Sequence, residues 1–326
     1  REREREGHAM ALRRFSSSPL DSPSAVVCVL GGTGFLGRQV TRILAQCPSV
    51  AQVRVLSRHA TATAAATATT GSGKVRWVQC DGKDVQGMRQ AMQGATSVVS
   101  LVGILYPTRS QSFYDAHVTT AVNAATVCRD LGIPSLVHVS AIGADSASPS
   151  MYASTKGLAE EKVAELFPPR SVLRPSIIFG PEDNFFNQFA TMAKFSPVLP
   201  LIGGGTTRFQ PVFVGDVASA VLHCILYPDS TRGQLYELGG PDIMTFEEIL
   251  RFILRTTGRK RLLVPIPFPL ATLQGTVLEK FPRPLLTADQ VTLLKSDNVV
   301  SSGALTLADM EIVASSVADI VPTYLS

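Results

Sequence analysis

The sequence predicts an α/β chain: a doubly wound parallel sheet followed by a small, mostly helical C-terminal lobe. Three observations carry that expectation. Apolar runs of strand length recur through the first half and are separated by stretches of helical periodicity. The first run, at Val26, stops in a cluster of glycines and continues at once into an amphipathic helix. The final third instead shows two capping boxes, at Thr245-Phe-Glu-Glu248 and Thr287-Ala-Asp-Gln290, each opening a helix, with an apolar helix between them.

Composition narrows the class. With 326 residues and 45% hydrophobic content the chain can bury a sizeable core. Five arginines against three glutamates in residues 1–15 account for half of the net charge of +4, so the remainder is too mildly basic to argue for nucleic acid. The cysteines at 28, 47, 80, 128 and 224 are odd in number and never in a C-x-x-C spacing, which points to neither a disulfide framework nor a metal site. No apolar run approaches the roughly 18 residues needed to span a bilayer.

Residues 1–24 have no core periodicity and read as a targeting segment or a solvated tail. From Met10 the text is basic, serine-rich and free of acids until Asp21, as organelle-import presequences are, and Arg13-Arg14-Phe15-Ser16 looks like a processing site. The preceding Arg-Glu repeat does not fit a presequence, which makes Met10 the expected start.

From Val26 to Gly37 the chain reads as strand, tight turn and helix, with Gly31 or Gly32, Gly34 and Gly37 forming two superposed glycine patterns that suit a dinucleotide. A Cβ there would block the turn, the approach of a pyrophosphate and the packing of helix on strand. The phosphates would face unpaired N–H groups at the positive end of the helix. Gln52–Arg58 is the second strand. Where an NAD-binding chain would place a carboxylate on the ribose, this strand ends in Ser57-Arg58, a hydroxyl and a cation suited to a 2′-phosphate, so NADPH is favoured over NADH. A solvated arginine at a strand end would read the same. Residues 59–73 are a low-complexity Ala/Thr loop.

Val75–Cys80 is the third strand; Asp81 at its end could accept from the adenine amino group or simply make a turn with Gly82. Met88–Gln93 is helical, and Ser97–Gly103 is the fourth strand, with Val102 and Gly103 passing beneath the cofactor. Phe113–Leu131 is a long helix and Leu136–Ser140 the fifth strand; His117 and His138 within them read as packing residues. Ser140 ends that strand, and Tyr152 and Lys156 follow at helical i, i+4 spacing, so phenol and ammonium share a face. A cation lowers a phenol's pKa, so Tyr152 could protonate a carbonyl oxygen held by Ser140 while Lys156 holds the nicotinamide ribose.

Gly-Gly-Thr-Gly-Phe-Leu-Gly37, Val-Ser140, Tyr152-x-x-x-Lys156 and Leu173–Gly180 together resemble an extended or atypical short-chain dehydrogenase/reductase, a Rossmann-type fold. Closer still, Leu101–Tyr106, Arg174–Phe189 and Leu199–Asp216 resemble the NADPH-binding accessory subunits of mitochondrial respiratory complex I, over most of residues 25–310. The resemblance implies an NADPH held by Gly31, Thr33, Gly34, Phe35, Leu36, Gly37, Ser57, Arg58, Asp81, Val102, Gly103, Tyr152, Lys156, Pro175 and Ile178, with Ser140, Tyr152 and Lys156 as catalytic or vestigial positions. It also implies other complex I subunits as partners, at the matrix side of the mitochondrial inner membrane, and a chain without turnover of its own. A free NADPH-dependent reductase or isomerase using Ser140, Tyr152 and Lys156 is the alternative.

The expected division is a nucleotide-binding domain over 25–240, to which 181–210 belong only in part, and a C-terminal lobe over 241–326. Phe167–Pro175 brings in a sixth strand, Asn184–Lys194 is an amphipathic helix whose Phe185, Phe186 and Phe189 could line a substrate cavity but at this spacing are more often core, and Phe209–Val214 is a short strand. Asp216 is the expected N-cap of a helix through Tyr227, and Val264–Pro269 is extended. Gly203–Gly205 is a loop without a following helix, and so is no phosphate site. Gly258-Arg-Lys-Arg261 is either a contact for acidic lipid or a partner, or a solvated charge run.

Overall fold

A computed structural model describes residues 24–58, 73–282 and 284–325. The expected targeting segment, apart from Ser24, and nearly all of the Ala/Thr loop lie outside the described residues.

Seven parallel strands form the sheet: β1 (Ala25–Leu30), β2 (Val50–Ser57), β3 (Val75–Gln79), β4 (Ser97–Ser100), β5 (Ser135–Val139), β6 (Ser171–Pro175) and β7 (Leu235–Leu238). Their order across the sheet is β7-β6-β5-β4-β1-β2-β3, so the direction of winding reverses beside β1. Ligands of such sheets bind at that reversal, outside the carboxyl ends of the strands.

Strand β1 shows why the sheet is covered on both sides. Val27 and Val29 point into one apolar cluster with α1 (Phe35–Gln46) and α6 (Val214–Leu226), while Cys28 and Leu30 point into another with α2 (Val85–Met92), α3 (Thr120–Leu131) and α4 (Met151–Leu166). Alternate side chains of a strand face opposite ways, so a run that is apolar throughout must be buried on both faces.

A third apolar cluster lies apart from the sheet. It joins Phe179, Phe186 of α5 (Phe185–Phe195), Phe209, and Phe246, Ile249 and Ile253 of α7 (Phe246–Thr256), with Phe185 and Phe189 packed against it. Phe185, Phe186 and Phe189 are thus core rather than cavity lining, while Phe195 at the end of α5 is exposed. Both capping boxes form, Thr245 with Glu248 and Thr287 with Gln290.

Five expectations need correction. The fourth strand ends at Ser100 rather than Gly103, because Leu101 and Val102 swing against the glycine turn of β1. The long helix before Leu131 begins as a π-turn over Tyr114–Thr119. Phe209–Val214 is two short pieces, Arg208–Phe209 and Val212–Phe213, with Pro211 between them. Asp216 is no N-cap: it lies in the first turn of α6, where its carboxylate accepts from the backbone N–H of Ser315 (2.7 Å) and from the Ser315 hydroxyl (3.2 Å). The segment expected to be extended over Val264–Pro269 is so only in part: Leu262–Ile266 is a strand paired in parallel with Val198–Ile202, and Phe268 and Pro269 already belong to the helix Phe268–Leu278.

Candidate nucleotide site

The glycine turn is dictated by sterics. Gly31 has φ +80°, in the left-handed region, and a Cβ there would lie 3.1 Å from the Leu101 carbonyl carbon and the Val102 nitrogen. At Gly37 a Cβ would fall 2.2 Å from the Gly31 carbonyl oxygen, so nothing larger lets α1 leave the turn at this angle. Both superposed glycine patterns have a steric basis: Gly31 through its left-handed backbone, and Gly32 because a Cβ there would lie 2.6 Å from Val55 Cγ1 in the core. Helix α1 starts at N-cap Gly34 with no side-chain cap and no acidic residue in its first turn. Its positive end is left open to an anion.

A cleft of about 270 Å³ opens beside this turn. It brings together most of the residues expected there: Gly31, Thr33 and Gly34 of the turn, Ser57 and Arg58 at the end of β2, Asp81, and Val102 with Gly103 beyond β4. The Arg58 guanidinium donates to Gln111 Oε1 at 3.1 Å, and Gln111 also lines the cleft. Asp81 does both things expected of it, lining the cleft and accepting the Lys83 N–H at 3.0 Å to make a turn. Phe35, Leu36 and Gly37 stand behind the turn, outside the lining; the Phe35 ring lies against Gly180. Pro175 and Ile178 also fall outside it. Pro175 is buried at the end of β6, its carbonyl accepting from the Ile142 N–H at 3.0 Å, and Ile178 packs against the core.

Gly103 connects this cleft to a buried polar pocket. A Cβ at Gly103 would lie 3.2 Å from Lys156 Nζ and 3.8 Å from His117 Nε2. Lys156 donates to the Val139 carbonyl at 3.2 Å, and the His117 and Tyr152 rings meet edge to face at 5.3 Å between centroids. Ile104 N–H lies 3.1 Å from His117 Nε2, while His117 Nδ1 is 2.8 Å from the Thr155 hydroxyl, which itself donates to the Met151 carbonyl at 2.6 Å. With Nε2 accepting, Nδ1 carries the proton. His117 thus fastens the loop after β4 to the helix that bears Tyr152 and Lys156. Ser140 Oγ is buried and has no hydrogen-bond partner, and neither has either ring nitrogen of His138.

Burial governs the electrostatics here. Desolvation lowers Lys156 to about 8, opposed by Glu160, and raises Tyr152 to about 12. His117 and His138 are both held down at about 3, first by desolvation and then by the charge of Lys156. The lowering of the Tyr152 phenol by Lys156 that the spacing leads one to expect is not found; burial alone moves the phenol, and moves it up. Glu160 is committed to Arg174, whose Nε and Nη2 reach it at 2.9 and 2.7 Å.

Sequence reasoning treated His117 and His138 as packing residues, which they are by burial, and passed over the bonds that tie His117 into the pocket. The π-turn that carries His117 is the kind of irregularity that marks functional positions, but its i→i+5 pairing leaves no periodic signature in the sequence. Asp289 was missed altogether. From the first turn of α9 (Ala288–Leu293) it accepts from Ser150 Oγ (2.9 Å), Met151 N–H (2.6 Å) and Tyr152 N–H (3.1 Å) at the start of α4.

Residues 27–239 match the NAD dependent epimerase/dehydratase family. The chain belongs to that family. Among curated relatives it is 35% identical over 314 residues to "NADH dehydrogenase [ubiquinone] 1 alpha subcomplex subunit 9, mitochondrial" of Arabidopsis thaliana, covering 93% of this chain and 78% of the relative. The protein of the same name in Dictyostelium discoideum is 30% identical over 304 residues, with 92% and 84% covered. The fold is that of a triphenylmethane reductase from Citrobacter sp. complexed with NADP(H), with TM-score 0.73, 18% identity, and 92% and 99% of the two chains covered. Solved structures of this fold named with their ligands hold NAD or NADP(H).

Proposed function

We propose that this chain is an accessory subunit of mitochondrial NADH:ubiquinone oxidoreductase, complex I, that holds NADPH as a structural ligand and turns over no substrate of its own. The observation that carries the reading is its kinship, along nearly its whole length, with the subunit 9 proteins. The site fits the nucleotide. Gly31, Thr33 and Gly34 would take the pyrophosphate at the open end of α1, Ser57 and Arg58 the 2′-phosphate, and Asp81 the adenine. Lys156 and Tyr152 would hold the ribose beside Gly103. Bound there, NADPH supplies a hydride, but Tyr152, raised by burial rather than lowered by Lys156, is a poor proton donor to accompany it.

The partners in this reading are other subunits of the assembly, on the matrix side of the inner membrane. One face of α8 (Phe268–Leu278) supports it, because Leu270, Leu273 and Val277 stand exposed at helical spacing and Phe281 follows them. Peripheral contact with acidic lipid headgroups through Arg259, Lys260 and Arg261 belongs to the same proposal. Among the described residues, no helix is long and apolar enough to cross a membrane.

One observation favours a second reading. Ser140, Tyr152 and Lys156 are retained, and the buried Ser140 hydroxyl lacks a partner, as a substrate-binding hydroxyl would in the absence of its carbonyl. Native sedimentation of mitochondrial membrane extracts separates the two. The accessory reading expects the chain in a large membrane-derived complex; a chain found wholly free of it, with NADPH oxidation on carbonyl substrates that Tyr152→Phe abolishes, would establish the reductase.

A further inference from the structure

We propose that Asp289 is a positioning residue for the nucleotide site, one that couples the seating of α8 and α9 to the placement of Tyr152 and Lys156. The inference rests on the reading that NADPH occupies the cleft.

A helix exposes unpaired N–H groups at its start, and its first turn is set by whatever satisfies them. For α4 part of that cap comes from far along the chain. Ser150 is the local N-cap and accepts from the Ala153 N–H at 3.3 Å, but its hydroxyl proton goes to Asp289 Oδ2. The next two N–H groups, of Met151 and Tyr152, also end on the Asp289 carboxylate. Tyr152 therefore has its backbone fixed by a residue of α9, and Lys156 follows one turn later on the same face. Charge and dipole act together, since a carboxylate is favoured at a helix start.

What holds Asp289 is α8. At Gly275, in the middle of α8, a Cβ would lie 2.6 Å from the Ala288 nitrogen and 2.7 Å from the Thr287 carbonyl carbon, so the two backbones touch at the residues leading into Asp289. Thr287 in turn is locked by its capping box with Gln290. The connection runs from the exposed apolar face of α8, through Gly275 to Thr287 and Ala288, through the Asp289 carboxylate, to the turn that carries Tyr152. A partner that presses on α8 would steady the far end of the same chain of contacts. Displacement of α8 would loosen the nicotinamide end of the site and leave the glycine turn as it is.

The test uses the full chain in four forms: wild type, Asp289→Asn, Gly275→Ala and Asp309→Asn, the last changing a carboxylate that receives Thr306 at 2.7 Å, away from α4. Two readouts are taken, amide hydrogen exchange at residues 151–153 without nucleotide, and NADPH affinity by fluorescence titration. Asp289→Asn and Gly275→Ala are each expected to speed exchange at 151–153 and weaken NADPH binding about tenfold, and Asp309→Asn to do neither. In a Tyr152→Phe/Lys156→Met background, Asp289→Asn is expected to weaken binding no further, because its effect travels through the two side chains that α4 places; a general loss of stability would persist there. A wild type that binds NADPH and an Asp289→Asn variant that binds it equally well would overturn the inference alone. So would equal losses with and without the Tyr152 hydroxyl and the Lys156 ammonium. A wild type that binds no NADPH would overturn the nucleotide reading and this inference with it.

Discussion

At the glycine turn between β1 and α1 the candidate site is made of backbone, whereas at Tyr152 and Lys156 it is made of desolvated side chains drawn from four separate stretches of sequence. The turn is fixed by Gly37, where a Cβ would fall 2.2 Å from the Gly31 carbonyl oxygen, and by Gly31, whose left-handed φ of +80° disfavours any side chain beside Leu101 and Val102. The other end is fixed by His117 bridging Ile104 and Thr155, by Lys156 bound to the Val139 carbonyl, and by Asp289 reaching in from α9. A backbone-built end tolerates no alteration of shape but is indifferent to pH. A side-chain-built end tolerates conservative replacement, yet carries the titration behaviour of the whole site.

The largest effect that would sharpen this contrast is at Gly37. Alanine normally stabilises a helix interior relative to glycine by about 1 kcal/mol, so a simple propensity argument expects Gly37→Ala to help. The 2.2 Å approach to the Gly31 carbonyl expects the reverse. Loss of about 3 kcal/mol, seen as a markedly lower melting temperature or loss of soluble protein, is the expected outcome; an unchanged melting temperature would remove the steric account.

Next in size is Arg58→Glu. It places a carboxylate where the 2′-phosphate would sit, and NADPH affinity should fall by about 100-fold while NADH changes by less than about threefold. Equal losses for the two nucleotides would assign Arg58 to general packing beside Gln111.

The pH dependence belongs to the side-chain end. His117 and His138 have native values near 3 against an ordinary value of 6.5, so the unfolded chain takes up protons that the native chain refuses. Their contribution is intact above about pH 6.5 and is lost as pH falls toward 3, with a slope of up to about 3 kcal/mol per pH unit for the pair. Denaturant midpoints between pH 7 and 5 should fall steadily, and His138→Leu should shallow the slope by about one proton. A flat profile over this range would mean that the two rings are not held neutral.

The smallest expected effect lies away from both ends. Thr245→Ala removes the cap of α7 and should cost about 1 kcal/mol without touching NADPH affinity. A change in affinity would show that the third core cluster communicates with the cleft by a route other than Asp289.

The same contrast explains what could be read in the sequence. The glycine turn was legible because backbone constraints act between neighbours and leave a fixed spacing, Gly31 to Gly37. Arg58 and Asp81 were legible because they end strands whose order follows from the turn, and both line the cleft. Tyr152 and Lys156 were legible as a pair at helical spacing, but the direction of the Tyr152 shift was not, because it depends on how much water the finished fold removes. Asp289 lies 137 residues beyond Tyr152, and a hydrogen bond over that distance has no local signature. Pro175 and Ile178, placed by resemblance alone, fell outside the cleft.

The most direct test of the claim that NADPH is held rather than used is to denature the purified native chain and identify the released nucleotide by mass spectrometry, before and after incubation with carbonyl compounds. The account predicts about one NADPH per chain, still reduced afterwards. Recovery of NAD or of no nucleotide, or complete conversion to NADP, would contradict it.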